Sequence, residues 1–220
     1  MTTSYYTLMG SLPHLPRFDK AQRLPISQLK LEQRLRMLEP EDAEQLARAE
    51  LLACWQMTLA KPRTDADMMA SYRDAMPSMQ PVLREFLEFR FGLQTLVAAL
   101  RRRQAGLPVP PRGESWGMGS WLSTIQRHWD EPDFGLSKVH RWLPEARKHL
   151  ENQDALALER HLMSVVWEWL SRLAESDPFG FEGVVAYVFR WDLLRAWLAR
   201  DSIAAQKRFQ ALIKEVTDVR

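Results

Sequence analysis

Two stretches near the carboxyl end set the pattern of the chain. In "ALALERHLMSVVWEWLSRLAE" the apolar residues Leu158, Leu162, Val165, Val166, Trp169, Leu170 and Leu173 recur at steps of three and four, the spacing that lines one helix face. In "EGVVAYVFRWDLLRAWLAR" the residues Val184, Val188, Trp191, Leu194 and Leu198 do the same, with Leu193 widening the stripe. Neither stretch alternates as a strand would. Asp177-Pro178 and Gly180 in the intervening "SDPFGF" stop the first helix, and the shortness of the joint predicts a second helix packed back antiparallel on the first. Trp167, Trp169, Trp191 and Trp197 fall in this hairpin, each able to bury roughly 150 to 250 Å², so a core is expected here.

The rest of the chain reads as further helices. In "SYYTLMGSLPHLPRF", Gly10, Pro13 and Pro16 rule out a long helix; Tyr5 to Met9 fits a short strand or an extended strap, and the strap is favoured. Ser27 is an N-cap for a helix through Leu38. Pro40, followed by Glu41 and Asp42, opens a second helix that is expected to run to about Ala60. A polar connector with a short helix around Asp67 to Arg73 follows. After Pro81, the residues Val82, Phe86, Phe89, Leu93, Leu96 and Leu100 give a regular helical stripe that ends in Arg101-Arg102-Arg103 before Gly106. Residues 106–120, rich in proline and glycine, mark a boundary or flexible loop between an amino-terminal unit (1–105) and a carboxyl-terminal unit (121–220). In the second unit a short helix is expected from Trp121 to Trp129, and Pro144 starts another with Glu145 in its first turn and Ala146 and Leu150 inside. Asp201 or Ser202 is expected to cap a last helix through Val216, with Ile203, Phe209, Leu212, Ile213 and Val216 as its apolar set. The fold class is therefore all-α, a bundle of antiparallel helical hairpins. "FRFGL" from Phe89 and "FRWDL" from Phe189 echo one another, which fits two similar units or a coincidence among Leu- and Arg-rich helices.

Composition narrows the chemistry. With 220 residues, 46% of them hydrophobic, the chain is long enough to bury its own core. Its 30 basic and 28 acidic residues leave a formal charge of +2, which removes the polyelectrolyte character that would point to nucleic acid. The single Cys54 excludes an internal disulfide framework and fits a reducing compartment; it reads as a small core residue. The amino terminus lacks the basic start and apolar run of a signal peptide, and charges such as Glu168, Arg190 and Asp192 interrupt the most apolar helices, so a cytoplasmic location is expected.

No phosphate-cradling loop occurs. The five histidines form no His-x-x-x-His or Glu-x-x-His pair; Glu145 and His149 stand four apart, as a surface helix pair also would. No catalytic, cofactor-binding or metal-ligating residue is therefore assigned. Glu168, Arg190 and Asp192 have two readings, an acid/base constellation or charges that snorkel outward and pair between helices. Arg101, Arg102 and Arg103 are partner-contact candidates or a helix cap. Trp116 and Trp121, like Trp129, are anchors for a partner or packing beneath a loop.

Tyr5-Tyr6 with Ser11-Leu12-Pro13, the Trp167-Glu168-Trp169 segment, and Val185-Ala186-Tyr187 leading to Leu193, Leu194 and Trp197 resemble a family of bacterial proteins of unknown function encoded with V-type (V/A-type) ATPase subunits. That family looks like a counterpart of the C-type subunit of those enzymes, also called the d-type subunit. The resemblance implies an all-helical, non-enzymatic adaptor without cofactor that couples the central stalk to the membrane proteolipid ring, peripheral to the inner membrane through the complex. The chain is shorter than a full C-type subunit, and "ELLACWQMTL" stands where relatives carry a polar Asp/Asn pattern. Two other functions stay open: an assembly or regulatory factor that binds ATPase subunits transiently, and an enzyme built on Glu168, Arg190 and Asp192.

Overall fold

In the computed structural model the described residues are 4–53, 65–111 and 116–218, with backbone alone for residue 65 and residues 201–218. Among them every regular element is a helix: α1 (Tyr6–Ser11), α2 (Gln28–Leu35), α3 (Pro40–Ala53), α4 (Asp65–Ala75), α5 (Pro81–Gln104), α6 (Leu122–Arg127), α7 (Leu143–Glu151), α8 (Ala155–Ser176) and α9 (Phe181–Asp218), with 3-10 turns at Phe18–Lys20 and Met76–Ser78. The protein is all-α.

Two compact units are formed, and packing does not divide the chain in sequence order. One gathers residues 4–39 with 170–218; the other gathers 40–53 with 65–169. Residues 106–111 and 116–120, from the expected boundary or flexible loop, fall within the second.

In the first unit α9 is the central element. From Phe181 to Ala196 it is buried almost all round, by Val184, Val185, Tyr187, Val188, Phe189, Trp191 and Leu194 among others. A helix apolar on every side must be covered on every side, and residues 4–39 do part of this. They run over α9 with Leu8, Leu15, Phe18, Ile26 and Leu31 buried. Irregular backbone has carbonyls without helix partners, and the aromatic tips of α9 supply donors: the Tyr187 hydroxyl donates to the Pro13 carbonyl at 2.9 Å and the Trp191 indole N–H to the Ile26 carbonyl at 3.0 Å. Phe18 meets Trp197 edge to face at 5.3 Å.

Two expectations change here. The favoured strap at Tyr5 to Met9 is instead the short helix α1: Leu8 points into the core, the Ser11 hydroxyl donates back to the Leu8 carbonyl at 2.7 Å, and the chain turns extended at Leu12 (ψ 133°), the residue that Pro13 forces out of the helical region. Nor does a separate last helix begin at Asp201 or Ser202. Helix α9 continues through them for 38 residues, roughly 57 Å at 1.5 Å per residue, because no glycine or proline follows Gly183 to break it. The apolar set proposed for its last turns lies outside the described side chains, as Cys54 and the expected extension of α3 to Ala60 lie outside the described residues.

In the second unit the central element is α5. Beyond the predicted stripe, Leu83, Leu87, Phe91, Val97 and Ala99 are also buried, so the apolar surface wraps most of the helix, and Phe89 is only half-buried. Helix α3 is tied to the entry of α5 by one side-chain amide: Gln45 donates to the Ser78 carbonyl at 2.9 Å and accepts from the Gln80 amide at 3.1 Å. At its other end α5 closes as expected at Gly106, whose φ of +68° suits a residue without Cβ. The Leu107 amide reaches the Arg102 carbonyl and the Gly106 amide that of Arg103, the paired bonds of a Schellman stop. The Phe89 and Phe189 echoes thus sit on the central helix of either unit.

Candidate functional site

Three clefts open beside α5, and each contains one of the residues singled out in the sequence. The largest, of about 470 Å³, is lined by Arg101 and Gln104 of α5 with His149, Leu150, Asp154 and Leu158. The second, of about 340 Å³, takes Trp116 with Met68, Met69, Phe91 and Met118. The third, of about 240 Å³, takes Trp121 with Phe89, Trp142 and Trp169, rimmed by Glu85 and Glu88.

The other two candidates, Arg102 and Arg103, are committed inside the unit. Arg102 Nε donates to the Pro108 carbonyl at 2.9 Å. Arg103 donates to the carbonyls of Trp129, Glu131 and Pro132 and lies 4.9 Å over the ring of Phe134, a fully buried residue with φ of +52°. A planar guanidinium can serve several carbonyls at once. Arg103 is therefore the clamp that holds the 129–134 loop, and burial, with Arg147 nearby, pulls its guanidinium below the ordinary value.

The loop carrying Trp116 and Trp121 is held by α5. The buried Thr95 hydroxyl donates to the Met118 carbonyl at 2.9 Å and accepts from the Met118 amide at 2.8 Å. Close approach demands glycine: a Cβ on Gly117 would stand 2.5 Å from Thr95 Cγ2. Residues 116–120 of the expected boundary or flexible loop are thus anchored to α5 through Thr95. Trp121 meets His140 edge to face at 4.8 Å, and burial holds the His140 imidazole below its ordinary pKa.

Glu168, Arg190 and Asp192 are engaged differently. Glu168 is exposed on α8. Asp192 is buried and paired with Arg195 one turn on, at 2.8 Å. Arg190 donates to the Ala186 carbonyl of its own helix at 3.2 Å, and burial lowers its pKa.

One grouping was missed by sequence reasoning. Helices α7 and α8 fold back on each other through a tight joint at 152–154, where the Asp154 amide reaches the His149 carbonyl, the Gln153 amide reaches that of Leu150, and Asp154 caps α8 by accepting from the Ala157 amide at 2.9 Å. This brings His161 of α8 over Glu145 and His149 of α7. His149 Nε2 is 3.7 Å from one Glu145 oxygen and His161 Nδ1 is 3.6 Å from the other. The pair Glu145 and His149 was legible at four-residue spacing; its third member, sixteen positions from Glu145, depends on the turn between the helices.

A family model described as "Protein of unknown function (DUF2764)" matches residues 60–219. The chain belongs to that family. Its matched span holds all three clefts and the Glu145, His149 and His161 group, while residues 4–53 precede it. No curated protein matches the chain. No solved structure matches it either. Among the described residues no helix is long and apolar enough to cross a membrane.

Proposed function

We propose that the protein is a non-catalytic helical adaptor of a bacterial V-type ATPase, acting as the C-type (or d-type) subunit does between the central stalk and the proteolipid ring. The reading rests on the family resemblance, and one observation supports it: Tyr5, Val185, Ala186, Tyr187, Leu193 and Leu194, which carry much of that resemblance, are all buried packing positions. Shared core residues maintain a frame rather than a reaction centre. An adaptor needs such a frame, because a part that bends dissipates the displacement it should pass on. Its partner-facing surfaces are then the clefts with Arg101, Trp116 and Trp121, since aromatic and arginine side chains in partly enclosed positions make effective anchors. The amino-terminal segment is largely used within its own unit, against α9.

Purification of the tagged protein from native membranes, under conditions that keep the motor assembled, tests this directly. Central-stalk or proteolipid subunits are expected in the eluate, and microscopy of the intact motor is expected to show density for this chain. An eluate without ATPase subunits overturns the proposal. Subunits in the eluate, with no density in the finished motor, would instead favour a transient assembly factor.

A further inference from the structure

We propose that Glu145, His149 and His161 form a binding site for one divalent transition-metal ion, zinc foremost. Their ligand atoms all lie within 4.8 Å of one another. Four-coordinate zinc with bonds of about 2.0 to 2.1 Å spaces its ligand atoms roughly 3.3 Å apart. His149 Nε2 stands 3.7 Å from one oxygen of the Glu145 carboxylate and His161 Nδ1 3.6 Å from the other, each separation within about half an ångström of that spacing, so the carboxylate faces both imidazoles with a different oxygen. Both are also too long for good hydrogen bonds.

The protonation of His161 is set from outside the group. Its Nε2 lies 2.9 Å from the Trp142 carbonyl oxygen, which can only accept, so Nε2 carries the proton. In the neutral ring Nδ1 then presents a lone pair toward the carboxylate. Two electron-pair donors facing each other across 3.6 Å invite a cation between them. A ring N–H held by a backbone carbonyl is also the usual support for a metal-ligating histidine, because it fixes both tautomer and ring orientation.

Arg147, on the same helix, is committed elsewhere. It is bound to Asp133 at 3.0 Å and to Glu151 at 2.7 Å. Two imidazoles and one carboxylate suit zinc and its neighbours in the first transition row, whereas calcium and magnesium prefer all-oxygen shells. The Glu145 side chain is 62% exposed while those of His149 and His161 are 21% and 15% exposed, so solvent can reach the ion and fill its fourth position. His149 also lines the Arg101 cleft, which gives a path of entry.

The test uses the full chain, stripped by chelation and titrated with Zn²⁺ by calorimetry and with Co²⁺ by visible absorption. One ion per chain is expected, with the strong d–d bands of four-coordinate cobalt, lost when zinc is added. Since outer-shell changes alone cost about 10- to 100-fold in metal affinity, E145Q, H149A and H161A are each expected to weaken binding by about a hundredfold or more. H128A, which removes a histidine paired with Glu131 instead, leaves it unchanged. Circular dichroism checks each variant's helicity, and the exposure of Glu145 keeps E145Q folded. Absence of one saturable site, or one-to-one binding that survives in folded E145Q and H161A, overturns the proposal. The three residues would then be an ion pair that needs only protons.

Discussion

At Thr95 a single hydroxyl oxygen serves both polar groups of Met118, donating to its carbonyl and accepting from its amide. Thr95→Val keeps the shape and removes both bonds; leaving buried groups unpaired costs about 1 to 3 kcal/mol, so a lower thermal midpoint is expected in a melting experiment. Valine that melts with the wild type would show the clip to be idle. Tyr187 makes a second case at this scale. Burial pushes its phenol up to about 12, with Arg190 opposing the rise. An unfolded tyrosine titrates near 10, so its contribution is fully present below about pH 10 and is lost as pH rises toward 12, on the order of 2 to 3 kcal/mol. The stability gap between wild type and Tyr187→Phe, measured by denaturant unfolding, should narrow over that window; a constant gap would contradict it. Neither hydrogen-bonding role is legible in the sequence, because Thr95 and Tyr187 are ordinary members of apolar helices until a loop or a proline carbonyl arrives opposite them.

At the scale of elements, helical spacing made most of the helices legible: Pro81, Pro40 and Pro144 each start one close to where their neighbours suggest. The errors have physical causes. Asp201 and Ser202 are cap-type residues, yet a cap acts only where something else stops the helix. The Pro- and Gly-rich loop looked free because Thr95, which pins it, lies more than twenty positions upstream. Two element-scale outcomes follow from the joints. Gln153 has φ of +56°, a left-handed conformation that costs a side chain about 1 kcal/mol, so Gln153→Gly should raise the thermal midpoint while keeping helicity. A decrease would mean that the glutamine side chain contributes more than the strain removes. Arg103→Lys should be nearly as destabilising as Arg103→Ala in denaturant unfolding, since an ammonium cannot span the carbonyls of Trp129, Glu131 and Pro132 as a planar fork does.

For the molecule as a whole, the family match and the packing divide the chain differently. The match covers residues 60–219, yet α9 within it is packed by residues 4–39. A chain cut to 60–219 should therefore aggregate or melt early. Removing Leu8, Leu15, Phe18, Ile26 and Leu31 from the core forfeits roughly 1.5 to 3 kcal/mol each, together comparable with a whole domain's stability. A soluble fragment with an undiminished helical spectrum would show that α9 is covered in some other way. This dependence was not readable from periodicity, which pairs neighbours such as α8 and α9 and says nothing of partners at opposite ends of the chain.

The bond from the Tyr5 amide to the Phe179 carbonyl, at 2.6 Å, has a consequence for synthesis. At about 5 to 20 residues per second, the first residues leave the ribosome roughly ten to forty seconds before α9 exists to receive them. For that interval Leu8, Leu15 and Phe18 have no partner helix and are exposed to whatever chaperone or neighbouring nascent chain reaches them first.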